Sequence, residues 1–138
     1  MSRLKKRSTL LLAVAAALAL PVLAGAQIPR PAAVEVDMGE FTFRPSVIRL
    51  QAGRPAALIL RNRGQIAHQL ETDYLRTVAI RLVSAVLDVE MPGVDVVRLE
   101  PGGSARLEFL PRQKGRFAFA CTIEGHREAG MHGVLEVR

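Results

Sequence analysis

From residue 34 onward, apolar side chains recur at every second position in short runs, and that period leaves few folds open. Val34, Val36 and Met38 alternate with Glu35 and Asp37, the pattern of a strand with one buried face. Ile48 and Leu50 flank Arg49 before the turn Ala52-Gly53-Arg54-Pro55, and Leu58-Ile59-Leu60 ends at Asn62-Arg63-Gly64. Ile66, His68 and Leu70 share one face of a fourth run, and residues 94–99 form a fifth before the strong turn Pro101-Gly102-Gly103. Leu107 and Phe109 alternate with Arg106 and Glu108 in a sixth. Phe117, Phe119 and Cys121 face one way in a seventh, with Ala118 and Ala120 opposite, and Leu135 and Val137 point inward in a last run over 133–137. Such spacing, without βαβ alternation or repeats, predicts an all-β chain folded as a Greek-key β sandwich of about eight strands. Residues 72–90 depart from the pattern. Leu75, Val78, Ala79, Leu82, Val83 and Val86 have helical spacing, with Thr72 or Asp73 as a cap. Yet Val78, Ile80 and Leu82 also alternate, and β-branched residues are frequent for a helix. A short helix or irregular excursion is the expectation there.

The first stretch has a different character. Arg3, Lys5, Lys6 and Arg7 precede an uncharged apolar run over residues 10–20, which Pro21 breaks and Ala24-Gly25-Ala26 closes. A basic start, a short apolar middle and a small-residue exit describe a secretory signal peptide over 1–26. The run is about half the roughly 20 residues a membrane-spanning helix needs. With that leader set aside, the 19 Lys plus Arg fall to fifteen against 13 Asp plus Glu, a net charge of +2. The basic balance of the whole chain is therefore poor ground for nucleic-acid binding. Residues 27–138, 112 in number, suit one domain with one core.

That domain holds a single cysteine, so it forms no internal disulfide. A lone thiol in an oxidising compartment is open to oxidation unless something occupies or shields it. Cys121 lies in the segment Cys121-Thr122-Ile123-Glu124-Gly125-His126-Arg127-Glu128-Ala129-Gly130-Met131-His132, with the spacing Cys-x4-His-x4-Met. A loop between adjacent strands folds its ends and its middle around one point, so these three donors converge at little cost. His68, more than fifty residues earlier on an inward strand face, is the fourth donor that folding must bring in. Alone, His68 would be a satisfied core histidine, Cys121 a small buried hydrophobe and Met131 core filler. Together, a thiolate, two imidazoles and a thioether select copper, because thioether serves zinc poorly. A Cys–His nucleophile would leave Met131 unexplained and lacks an identifiable orienting acid. His132, next to Met131, is expected to point away to solvent.

With these residues, the chain resembles the cupredoxins, or type 1 copper proteins. The resemblance runs from Phe41-Thr42-Phe43-Arg44-Pro45 and the Gly53 turn through Ala67-His68 to Val137. The loop spacing is like that of rusticyanin, auracyanin and sulfocyanin, and longer between Cys and His than in plastocyanin. The resemblance implies one type 1 copper ion, with Cys121 as thiolate ligand, His68 and His126 as imidazole ligands and Met131 as axial ligand. It also implies that His126 is the ligand edge nearest solvent and that Thr122 is the hydroxyl residue after the ligand cysteine. Three positions depart from the family pattern. Gln69 stands where many relatives carry an asparagine that ties the ligand loops together, Glu124 replaces a common proline, and His132 adjoins Met131.

The implied function is one-electron shuttling between redox partner proteins outside the cytoplasm, in the periplasm or beyond, and not enzymatic catalysis. The same ligands would suit copper delivery or storage for oxidase assembly, or a cupredoxin-like accessory domain in metal uptake. The expected protein is a monomer without nucleic-acid partners or a membrane span once the leader is gone.

Overall fold

The computed structural model describes residues 30–138; the segment 1–26, expected from the sequence to be a signal peptide, lies outside them. Eleven strands and one short helix follow in order: β1 (Ala32–Gly39), β2 (Thr42–Arg44), β3 (Val47–Leu50), β4 (Ala56–Asn62), β5 (His68–Glu71), α1 (Asp73–Arg76), β6 (Ile80–Val83), β7 (Asp88–Met91), β8 (Val96–Leu99), β9 (Ser104–Phe109), β10 (Gly115–Ala120) and β11 (His132–Val137). They form a six-stranded sheet ordered β2-β1-β4-β9-β6-β7 and a five-stranded sheet ordered β3-β11-β10-β5-β8. The chain passes between the sheets, so β1 runs parallel to β4 and β3 parallel to β11, while the other pairs are antiparallel. This is the predicted β sandwich with Greek-key connections.

The period-two residues make the core. Val36, Met38, Leu58, Leu60 and Leu107 from one sheet meet Ile48, Leu70, Phe119, Leu135 and Val137 from the other. Arg61 and Glu35, on the opposite faces of β4 and β1, pair at 3.0 Å in solvent. Each large aliphatic side chain buried this way contributes roughly 1.5–3 kcal/mol.

The expected eight strands become eleven for two local reasons. The three-residue β2 pairs with β1 across a tight turn, too short to show a period. The ambiguous segment 72–90 resolves into both of its readings in succession. Thr72 caps a single helical turn by accepting the Tyr74 N–H, and the chain then forms the β6–β7 hairpin. Ile80 and Leu82 face Phe109 and Leu107 of β9, so pairing with a distant strand decides against a longer helix. Ile66 also departs from expectation. It precedes β5 in the loop and is 42% exposed, so it does not share the inward face of His68 and Leu70.

Strand directions place the turns after β1, β4, β8 and β10 at one end of the sandwich, where His68 opens β5 and Cys121 follows β10. Among the described residues no helix is long and apolar enough to cross a membrane.

Candidate metal centre

Backbone hydrogen bonds explain why loop 121–131 converges. The Cys121 N–H donates to the Met131 carbonyl at 3.0 Å, so the two ends of the loop meet as a strand pair would. The Met131 N–H donates to the His126 carbonyl at 3.0 Å, which folds the middle of the loop back onto its end. Gly125 (φ 79) and Gly130 (φ 106) take the left-handed turns this path requires. Opposite the loop, β5 delivers His68 at its first position, paired with Leu99 of β8.

The donor atoms of His68, Cys121 and His126 lie within 4.8 Å of one another, and all three side chains are buried. Cys121 Sγ is 3.3 Å from His126 Nδ1. The imidazoles are tilted by 59° with ring centroids 5.2 Å apart. Met131 is wholly buried in the same core, and its backbone is bonded to both Cys121 and His126. His132 is exposed at the start of β11, as expected. Arg127 and Glu128 are exposed on the loop surface.

His68 tests whether a metal suits the site. The residue is 0% exposed, yet neither ring nitrogen has a hydrogen-bond partner. A buried unsatisfied polar group costs about 1–3 kcal/mol, and a metal ion among the three donors would relieve it. Burial, then the neighbouring His126 imidazole, push the His68 pKa below its ordinary value, with the Glu40 carboxylate opposing. The ring is thus held neutral, the form that ligates.

Polar contacts around the donors brace them. Gln69 donates to the Thr122 hydroxyl at 2.6 Å, which answers the departure at position 69. The longer side chain still ties the His68 strand to the Cys121 loop. Thr122 donates to Glu71 at 2.7 Å, and that bond, foremost, lowers the Glu71 pKa.

Several supporting residues escaped the sequence reading. Asn62, read only as part of a turn, is buried and donates to the carbonyls of Ile66 at 2.8 Å and Leu99 at 2.9 Å while accepting the Gly64 N–H at 2.9 Å. Phe41 packs edge-on against His126 with centroids 5.1 Å apart. His126 is consequently only 7% exposed, and Phe41, at 38%, shares the position nearest solvent. An asparagine inside a turn is common and carries no distinct sequence signal; Phe41 belongs to the stretch that carries the family resemblance, but nothing in the sequence shows that it meets His126.

Known proteins resemble this chain in sequence and in shape. The family described as the cupredoxin-like domain matches residues 9–137. The copper-resistant cuproprotein CopI of Pseudomonas aeruginosa is 27% identical over 136 aligned positions, which cover 76% of this chain and 75% of that protein. CopI of Rubrivivax gelatinosus is 32% identical over 98 positions, covering 70% of this chain but only 59% of that protein. In shape, auracyanin from Roseiflexus castenholzii matches with a TM-score of 0.56 and 19% identity over 78% of this chain and 97% of its own. A multicopper oxidase from Campylobacter jejuni matches with a TM-score of 0.59 and 17% identity, over 84% of this chain and 31% of the oxidase. At these identities the two structural likenesses speak for the fold.

Proposed function

The chain belongs to the cupredoxin-like domain family and is a copper protein, and from that premise we propose that it carries single electrons between redox partner proteins through one type 1 copper ion. His68, Cys121 and His126 would supply the three strong ligands, and Met131 the weak thioether one. Bound copper would supply the one-electron change, and the rigid two-sheet scaffold would hold the four donors in place through it.

The observation that carries this reading is the burial of all four donors in a core shared by two sheets. Such a site gives a substrate no open position, which argues against an enzyme, and gives a metal ion no easy exit. An electron needs neither. His126 and Phe41 form a thin cover between the donors and solvent, where a partner's apolar surface would dock. The basic leader and the lone shielded cysteine support export to an oxidising compartment.

A second reading rests on the two CopI relatives, which are copper-resistant cuproproteins. In it the same ligands hold copper for resistance, storage or delivery. Copper loading followed by visible spectroscopy and voltammetry separates the two. Intense colour in the oxidised protein, from the copper–thiolate bond, with a reversible one-electron wave supports the shuttle. A colourless protein that holds only Cu(I) and yields it quickly to a chelator would replace the shuttle with delivery.

A further inference from the structure

β1 and β2 are joined through Glu40 and Phe41. Phe41 has φ 57, a left-handed conformation that bulky L side chains rarely adopt. Outliers of this kind persist where the surroundings fix them, and they gather at functional sites. Here the unusual backbone sends two consecutive side chains to two different imidazoles. Phe41 sets its ring edge-on to His126, with an interplanar angle of 87°. Glu40 turns to the loop before His68, where its Oε1 accepts the Gln65 N–H at 2.5 Å.

Gly64 shows what that carboxylate faces. A Cβ added at Gly64 would stand 2.6 Å from Glu40 Oε1 and 2.8 Å from His68 Nε2. The carboxylate and the imidazole nitrogen therefore border the same small space, which is open because residue 64 has no side chain. His68 is wholly buried, and Nε2 has no hydrogen-bond partner as it stands. Metal-bound histidines donate their second N–H to a carboxylate, carbonyl or water, which fixes the tautomer and makes the ligand nitrogen more basic.

We infer that the turn at Glu40 and Phe41 clamps both imidazoles of the centre from outside: Glu40, through a small movement of its exposed carboxylate, accepts the proton on His68 Nε2, leaving the Nδ1 lone pair for the metal, while Phe41 fixes the His126 ring by its edge. Both are positioning residues, for neither touches the metal. The inference rests on the copper reading only for what Nδ1 serves; the proton on Nε2 is a property of the chain itself.

The test compares the full chain with Glu40→Gln, Gly64→Ala and Phe41→Ala, metal-free and copper-loaded. Nitrogen-resolved spectra of the metal-free and Cu(I) forms should place the His68 proton on Nε2 in the unsubstituted protein. In Glu40→Gln that proton should exchange with solvent faster, and Cu(II) should bind about tenfold or more weakly, as for other outer partners of metal-bound histidine. The reduction potential should rise, because a negative charge that favours Cu(II) is gone. Gly64→Ala, which crowds both the carboxylate and the imidazole with a methyl group, should reproduce these changes. Phe41→Ala should alter the His126 signals and leave those of His68 in place. A proton on Nδ1, or a His68 signal indifferent to Glu40→Gln in a protein that binds copper normally, overturns the clamp alone. A chain with the stated His68 tautomer and Glu40 response that binds no copper overturns the copper reading and leaves the clamp standing.

Discussion

Gln69 donates its side-chain amide to the Thr122 hydroxyl at 2.6 Å, joining the residue after His68 to the residue after Cys121. Thr122 passes its own hydrogen to Glu71, whose other oxygen accepts from Arg76 at 2.5 Å. Both ligand segments are thereby fixed to one ion-paired anchor. Gln69→Ala should lower stability by about 0.5–1.5 kcal/mol, the net worth of one hydrogen bond. It should also broaden the visible band of the copper form, because the thiolate and His68 are freed to shift against each other. An unchanged band with the full stability loss would reduce the contact to a structural one.

The two sulfur positions should respond differently. Cys121→Ser keeps a buried residue of similar size but replaces the soft thiolate, so the intense visible band should vanish. Met131→Leu fills the same volume without a donor atom. It should retain copper and raise the reduction potential, since the axial ligand tunes the blue site. Colour surviving in Cys121→Ser would mean that the ligand assignment is wrong. Copper loss in Met131→Leu would make the thioether a principal ligand.

The alternation of Val34, Val36 and Met38, or of Leu107 and Phe109, is enough to identify their strands, because one buried face imposes period two. The donors of loop 121–131 are equally readable, since their spacing lies within one connection. Residues 78–86 are not, because their side chains satisfy both periods and β9 chooses between them. Asn62, Glu40 and Phe41 look like ordinary turn residues in the chain. Their roles arise when loops distant in sequence meet at one end of the sandwich.

Glu136 predicts the acid behaviour of the opposite face. On β11 it lies between Arg116 of β10 and Arg49 of β3, and it pairs with both and with Arg138. The Arg138 hydrogen bond first, then the charges of Arg116, Arg138 and Arg49, hold its pKa below the ordinary 4.5. The unfolded chain therefore binds this proton before the folded one does, so the stabilisation is complete above about pH 4.5 and fades as pH falls through the folded pKa. Glu136→Gln should melt lower than the unsubstituted protein at neutral pH and lose less stability between pH 5 and 3. Thermal melts across that range check it; parallel curves for the two proteins would refute the assignment.

Asn62 supports the most demanding prediction, because one side chain braces the loop that leads to His68. Its amide holds the carbonyls of Ile66 and Leu99, its oxygen holds the Gly64 N–H, and its own backbone pairs with Gly103 at 2.9 Å and Gly102 at 3.1 Å. Asn62→Ala leaves those side-chain partners unsatisfied in a buried place, at a cost of about 2–3 kcal/mol and a fall in Tm of roughly 10 °C. Copper affinity should fall as well, because loosening residues 63–67 lets His68 and its Gly64 gap drift. Copper binding measured well below the variant's Tm separates the two effects. Affinity that recovers fully when the protein is cooled would assign Asn62 to stability alone. Affinity that stays low in a fully folded protein would show that the bracing of the loop itself sets the position of His68.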